Sequence, residues 1–90
     1  MVEYPIYTVQ QLGQALRNQR KALGKTQGAA GADVGVLPKT VSALESKPGA
    51  SSIASLFKLL SALDLELVLR PKKAEAGNRS AVAKSPAAEW

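Results

Sequence analysis

The sequence predicts a mainly α fold of four to five helices, closed by one C-terminal β-strand. Three observations carry this expectation. Apolar residues recur at three- and four-residue spacing between residues 9 and 63. Residues 26–45, TQGAAGADVGVLPKTVSALE, have the layout of two short helices joined by a tight turn. From Leu63 the period drops to two, with Leu63, Leu65, Leu67 and Leu69 alternating with Asp64, Glu66, Val68 and Arg70, the pattern of a half-buried strand.

Residues 1–7 form a short arm, in which Pro5 opposes helix and Tyr4, Ile6 and Tyr7 are packing handles. Thr8 with Gln11 makes a capping box, and Tyr7 with Leu12 a hydrophobic staple, so the first helix starts there and stops at Gly24. Val9, Leu12, Leu16 and Leu23 share its inward stripe, while Gln14, Arg17 and Lys21 share another side. Arg20 lies at the border of the two, where a charge needs a partner; Glu45 is the acid to pair with it, as a structural ion pair.

Thr26 caps the second helix, Ala29, Ala30, Ala32 and Val34 give it a small apolar face, and Gly35 supplies the positive φ of a sharp turn. Pro38 suits the first position of the third helix, where Val41 and Leu44 face inward. Its other side carries Lys39, Thr40, Ala43 and Lys47, small or basic residues that fit a groove floored by base edges and walled by phosphates. This is a helix-turn-helix reading. Residues 46–52 form a polar loop, Ser51 or Ser52 caps the next helix, and Ile53, Leu56, Phe57, Leu59, Leu60 and Leu63 give it the strongest helical signal in the chain and most of the core.

A lone strand leaves its backbone groups unpaired along a leucine-rich edge. The arm is the only intramolecular candidate to pair with it and is interrupted by Pro5, so the expectation is antiparallel pairing with the same strand of a second copy, a homodimer centred on Leu65, Leu67 and Leu69. The alternative is that these residues extend the preceding helix. Domain organisation is thus residues 1–7 as arm, 8–70 as the DNA-binding and dimerisation domain, and 71–90 as a flexible tail too polar to order itself. Trp90 at its end is either an anchor for a partner's pocket or a terminal residue without a role.

Composition narrows the function. The 90 residues include no Cys and no His, which removes disulfides, the usual zinc ligands, thiolate nucleophiles and imidazole chemistry; no cofactor is expected. Asp33, Glu45, Asp64 and Glu66 show no paired placement for acid/base work, so an enzyme is not expected. A net charge of +5 favours an anionic partner. The start MVEYPIYT lacks the features of a signal peptide, and no apolar run approaches the roughly 20 residues of a membrane span, so a cytoplasmic protein with no membrane partner is expected.

Arg20, Gly24, Thr26-Gln27, Gly35-Val36, Thr40-Val41-Ser42, Leu44-Glu45 and Lys47-Pro48 together resemble the phage-repressor (Xre/Cro) type of helix-turn-helix over roughly residues 9–63. Ile6-Tyr7-Thr8, Gln11-Leu12, Phe57-Lys58, the single leucine-rich strand and the terminal Glu89-Trp90 extend the likeness to the HipB antitoxins. The resemblance implies a homodimer with strands paired between subunits, which binds double-stranded operator DNA as a repressor of its own operon and restrains a HipA-like kinase toxin.

Carried over by position, it implies Lys39, Thr40 and Ala43 as the base-edge set with Pro38 at the lip of the groove, and Gln27 as a phosphate ligand at the start of the second helix. Thr26, Ser42 and Lys47 are further backbone contacts, Arg17 and Lys25 more remote ones. The sequence departs from the pattern at Ala30, where the group usually has Leu, at Gly28 and Gly31, each costing the helix roughly 1 kcal/mol relative to Ala, and at Leu37, which replaces a polar cap. A plain regulator without a toxin, and a clamp on a partner protein with weak DNA binding, are the competing functions.

Overall fold

Thr8 opens the first helix with a reciprocal pair of hydrogen bonds. In the computed structural model, which describes residues 3–72, the Gln11 amide donates to the Thr8 hydroxyl at 3.1 Å and the Thr8 amide donates to the Gln11 side chain at 3.1 Å. Helix α1 spans Val9–Ala22, α2 Gln27–Ala32, α3 Pro38–Ser46 and α4 Ile53–Ala62, with a single 3-10 turn at Pro48–Ala50 between the last two. Hydroxyl side chains cap α2 and α4 as well, Thr26 accepting from the Ala29 amide and Ser52 from the Ser55 amide, both at 3.0 Å.

Three helices end alike. After α1, α2 and α4 the chain passes through one residue of positive φ, Gly24 (71°), Gly35 (71°) and Asp64 (57°). The next amide then reaches back into the last turn: Lys25 to the Arg20 carbonyl at 3.1 Å, Val36 to Gly31 at 2.8 Å and Leu65 to Leu60 at 2.9 Å. These are Schellman closures, and they satisfy carbonyls that a bare helix end leaves open. Asp64 makes the same turn with a side chain that pays the Cβ penalty glycine avoids.

The core gathers Leu16 from α1, Ala30 from α2, Val36 from the turn, Val41 and Leu44 from α3, and Leu59, Leu60, Ala62 and Leu63 from α4 and its cap. Helix α3 lies against both α1 and α2. Gly31 is buried where α2 meets the turn, and a Cβ there would fall on the Val36 carbonyl oxygen. A glycine read from sequence only as a cost is therefore needed for close approach.

The apolar stripes are covered in their middles and not at their ends. Val9 and Leu23 of the α1 stripe are exposed, as are Ile53 and Phe57 on α4 and Ala29 and Ala32 on α2. A nine-residue α3 spans about 14 Å along an α1 of about 21 Å, too little to cover both terminal turns. In the arm, Tyr4 is half-buried and donates its hydroxyl to Gln19 Oε1 at 3.1 Å, and Gln19 Nε2 donates to the Leu63 carbonyl at 3.0 Å. Ile6 and Tyr7 are exposed.

Beyond Leu65 the chain carries no regular structure, and no strand forms among the described residues. Leu65 is half-buried against the core, whereas Leu67, Val68 and Leu69 face outward, Leu69 being 90% exposed. The expected strand is not made within one chain because no edge is offered to it. The arm touches this segment only through side chains: Arg70 Nη2 lies 3.7 Å from Glu3 Oε2, and Lys72 Nζ lies 5.6 Å from the Tyr7 ring centroid. Nor does the segment extend α4, which closes at Asp64.

Candidate nucleic-acid interface

Burying Val41 and Leu44 fixes the rotation of α3, and the rotation decides which residues meet solvent. Lys39, Ala43 and Ser46, spaced i, i+4, i+7, fall opposite the buried pair. Thr40 and Lys47 flank this row on one side and Ser42 on the other. Lys39, Ser46 and Lys47 are exposed, while Thr40, Ser42 and Ala43 are half-buried. The Ser46 hydroxyl donates to the Ser42 carbonyl at 2.8 Å. Sequence reasoning left Ser46 out, although its spacing from Lys39 would have found it.

At the start of α3, Leu37 holds the cap position with φ −70° and ψ 150° and makes no side-chain cap bond. Its side chain is 64% exposed, beside the exposed Pro38. Gly28 in the first turn of α2 lies beneath Pro38: a Cβ there would sit 4.0 Å from the Pro38 Cγ.

Behind this face a charge network holds α3 to α1. Arg20, 9% exposed, donates from Nε to Glu45 Oε2 at 2.6 Å and from Nη2 to Glu45 Oε1 at 3.1 Å, and from Nη1 to the Lys25 carbonyl at 2.8 Å. Hydrogen bonding to Glu45 raises the Arg20 pKa above its ordinary value, against the opposing effect of burial. Gln27 Nε2 donates to the same Glu45 Oε1 at 3.1 Å. Its amide is therefore engaged inward, with one N–H and the carbonyl left for other partners.

The remaining candidates separate. The Thr26 hydroxyl is occupied as the α2 cap. Lys25 turns inward, its ammonium donating to Asp33 Oδ2 and to the Ala62 carbonyl, both at 3.0 Å, so it ties α2 and α4 and is removed from the set of phosphate contacts. Arg17 is exposed on α1. Trp90 lies outside the described residues. Among the described residues Lys39 and Lys47 enter no ion pair, no acidic cluster suited to a metal is formed, and no helix is long and apolar enough to cross a membrane.

A helical pair with its second member turned outward, basic and braced from behind, defines a helix-turn-helix protein. The family described as Helix-turn-helix matches residues 16–69, more than half the chain. Two curated relatives are Antitoxin HipB of Escherichia coli O6:H1 strain CFT073, 33% identical over 64 residues covering 71% of this chain and 68% of that protein, and Antitoxin HipB of Escherichia coli K12, 31% identical over the same share of this chain and 73% of that protein. Among solved structures, a complex of a HipB variant with an O2 20-mer superposes with a TM-score of 0.76 at 29% identity, covering 80% of this chain and all of that one. A HipA-HipB-O2-O3 complex gives 0.74 at 30% identity, covering 77% and 97%. The chain belongs to the helix-turn-helix family and, within it, to the HipB-type DNA-binding antitoxins.

Proposed function

We propose that this antitoxin represses its own operon as a homodimer bound to operator DNA and restrains a HipA-like kinase encoded with it. The observation that carries the reading is the outward row of α3: Lys39 free of ion pairs among the described residues, with the helix pinned from behind by Arg20 and Glu45. In this reading Lys39, Thr40 and Ala43 meet base edges with Pro38 at the lip. Thr26, Ser42 and Lys47 lie along the phosphates, and Gln27 turns its second N–H to a phosphate while Glu45 holds the first.

Dimerisation falls to residues 65–70. Their backbone groups beyond Leu65 have no ladder within the chain, and Leu67 and Leu69 are exposed, so a second copy supplies the missing edge and covers the leucines. Two recognition helices then sit about 34 Å apart, one turn of the duplex, on a palindromic site. Residues 8–70 form the working domain, flanked by the arm and by a tail from residue 71. The kinase partner is supported by the HipA-HipB-O2-O3 complex among the structural neighbours.

A gel shift with DNA from upstream of the reading frame, at ~50 mM salt, tests the repressor. Co-purification with the product of an adjoining kinase-like frame tests the antitoxin. A shift without such a partner leaves a plain regulator; partner capture without a shift leaves a clamp.

A further inference from the structure

We propose that Leu37 is a specificity-determining residue that reads a thymine methyl group in the major groove. This rests on the reading of α3 as the recognition helix.

Leu37 satisfies neither of the roles a residue at its position can play inside the protein. A helix cap favours Ser, Thr, Asp or Asn, whose side-chain oxygen accepts an open amide of the first turn; α1, α2 and α4 have Thr8, Thr26 and Ser52 there, and α3 has a leucine with no such bond. A leucine that forgoes capping ordinarily packs, and this one is 64% exposed. A local rule broken with no internal gain points outward, to a bound partner.

The surroundings define what that partner is. Leu37 and Pro38 form a small apolar lip, both exposed, continuous with the exposed ammonium of Lys39. The neighbour beneath Pro38 is Gly28, which has no side chain to raise over it. A major groove offers an aliphatic side chain one apolar feature, the C5-methyl of thymine, while its remaining edge atoms are hydrogen-bonding groups that leucine cannot answer. Lys39 alongside suits a guanine O6 or N7. The half-site is therefore read by an adjoining pair of unlike contacts, one to a methyl and one to a purine acceptor.

The experiment uses the full chain and its operator, with each thymine replaced singly by deoxyuridine, which removes the methyl and leaves base pairing intact. One thymine in each half-site is expected to weaken wild-type binding about three-fold when so replaced, the value of burying one methyl-sized group. Leu37→Ser is expected to lose a similar factor on the unmodified operator and to be indifferent to deoxyuridine at that position. Because serine restores the missing cap oxygen, its melting temperature stays the same or rises, which separates a lost contact from a damaged fold. Leu37→Ala is the second variant and behaves alike toward the DNA. The salt slope is unchanged in both, since no phosphate contact is removed. Equal sensitivity to deoxyuridine in wild type and variants, or unweakened binding by both variants, overturns the proposal. Failure of the wild type to bind any upstream DNA overturns the recognition-helix reading and this one with it.

Discussion

Arg20 and Glu45, 25 residues apart, meet as a two-pronged pair, Nε to Oε2 at 2.6 Å and Nη2 to Oε1 at 3.1 Å, with both side chains almost wholly removed from water. Removing one member strands the other charge in that environment. Glu45→Ala is expected to cost about 3–5 kcal/mol of stability, and Arg20→Met with Glu45→Met together less than either alone. Urea unfolding of the three variants checks this; a single substitution costing under about 1 kcal/mol would mean the pair is no brace. The Arg20 pKa is raised on folding, so its contribution is fully present below the unfolded value and fades only as pH climbs through the higher folded one. Arg20 therefore imposes no pH dependence on stability between about pH 6 and 10.

The glycines of α2 respond oppositely to the same change. At Gly28 a Cβ meets nothing closer than 4.0 Å, so Gly28→Ala is expected to stabilise by about 0.5–1 kcal/mol through helix propensity. At Gly31 it collides with the Val36 carbonyl, and Gly31→Ala is expected to destabilise by about 1–3 kcal/mol through overpacking. Melting curves of the two variants bracket the wild type if this packing is right.

Asp64 takes a φ of 57° to close α4. Glycine adopts that conformation without the Cβ penalty, so Asp64→Gly is expected to raise stability by about 0.5–1 kcal/mol, net of the added freedom of the unfolded chain. Denaturant midpoints with an unchanged slope are the readout.

Two lysines of the proposed interface separate by salt. Lys47→Ala is expected to reduce the slope of log affinity against log salt by about 0.9, the release of one phosphate contact. Lys25→Ala leaves that slope alone and lowers thermal stability, because its ammonium holds Asp33 and the Ala62 carbonyl. A salt titration of operator binding distinguishes them.

Leu67 and Leu69 are exposed in the single chain. Leu67→Lys with Leu69→Lys is expected to yield a monomer at ~10 μM by sedimentation, where wild type is a dimer, with helicity retained, since neither residue belongs to the core. A wild type that sediments as a monomer at that concentration sinks the dimer.

What the sequence determined by itself is local. The starts of α1, α2 and α4 and the glycine-closed turns at Gly24 and Gly35 were legible because a cap or a closure is settled among residues within about five positions of one another. The inward choice of Leu16, Val41, Leu44, Leu59 and Leu60 was legible for the same reason: helical spacing puts them on one side whatever packs there. Arg20 invited an acid from its border position, yet nothing in the spacing said that Gln27 would join at Glu45 or that Lys25 would turn toward the end of α4.

Those outcomes only the tertiary structure decided, as it did the exposure of Val9, Leu23, Ile53 and Phe57 and the need for glycine at position 31. Periodicity tells which side of a helix is apolar; how far that side is covered depends on the length and approach of an element many residues away. The segment from Leu65 to Arg70 carries this furthest. Its alternation is a property of the chain, but a strand is a relation between two edges, and one molecule contains only the first.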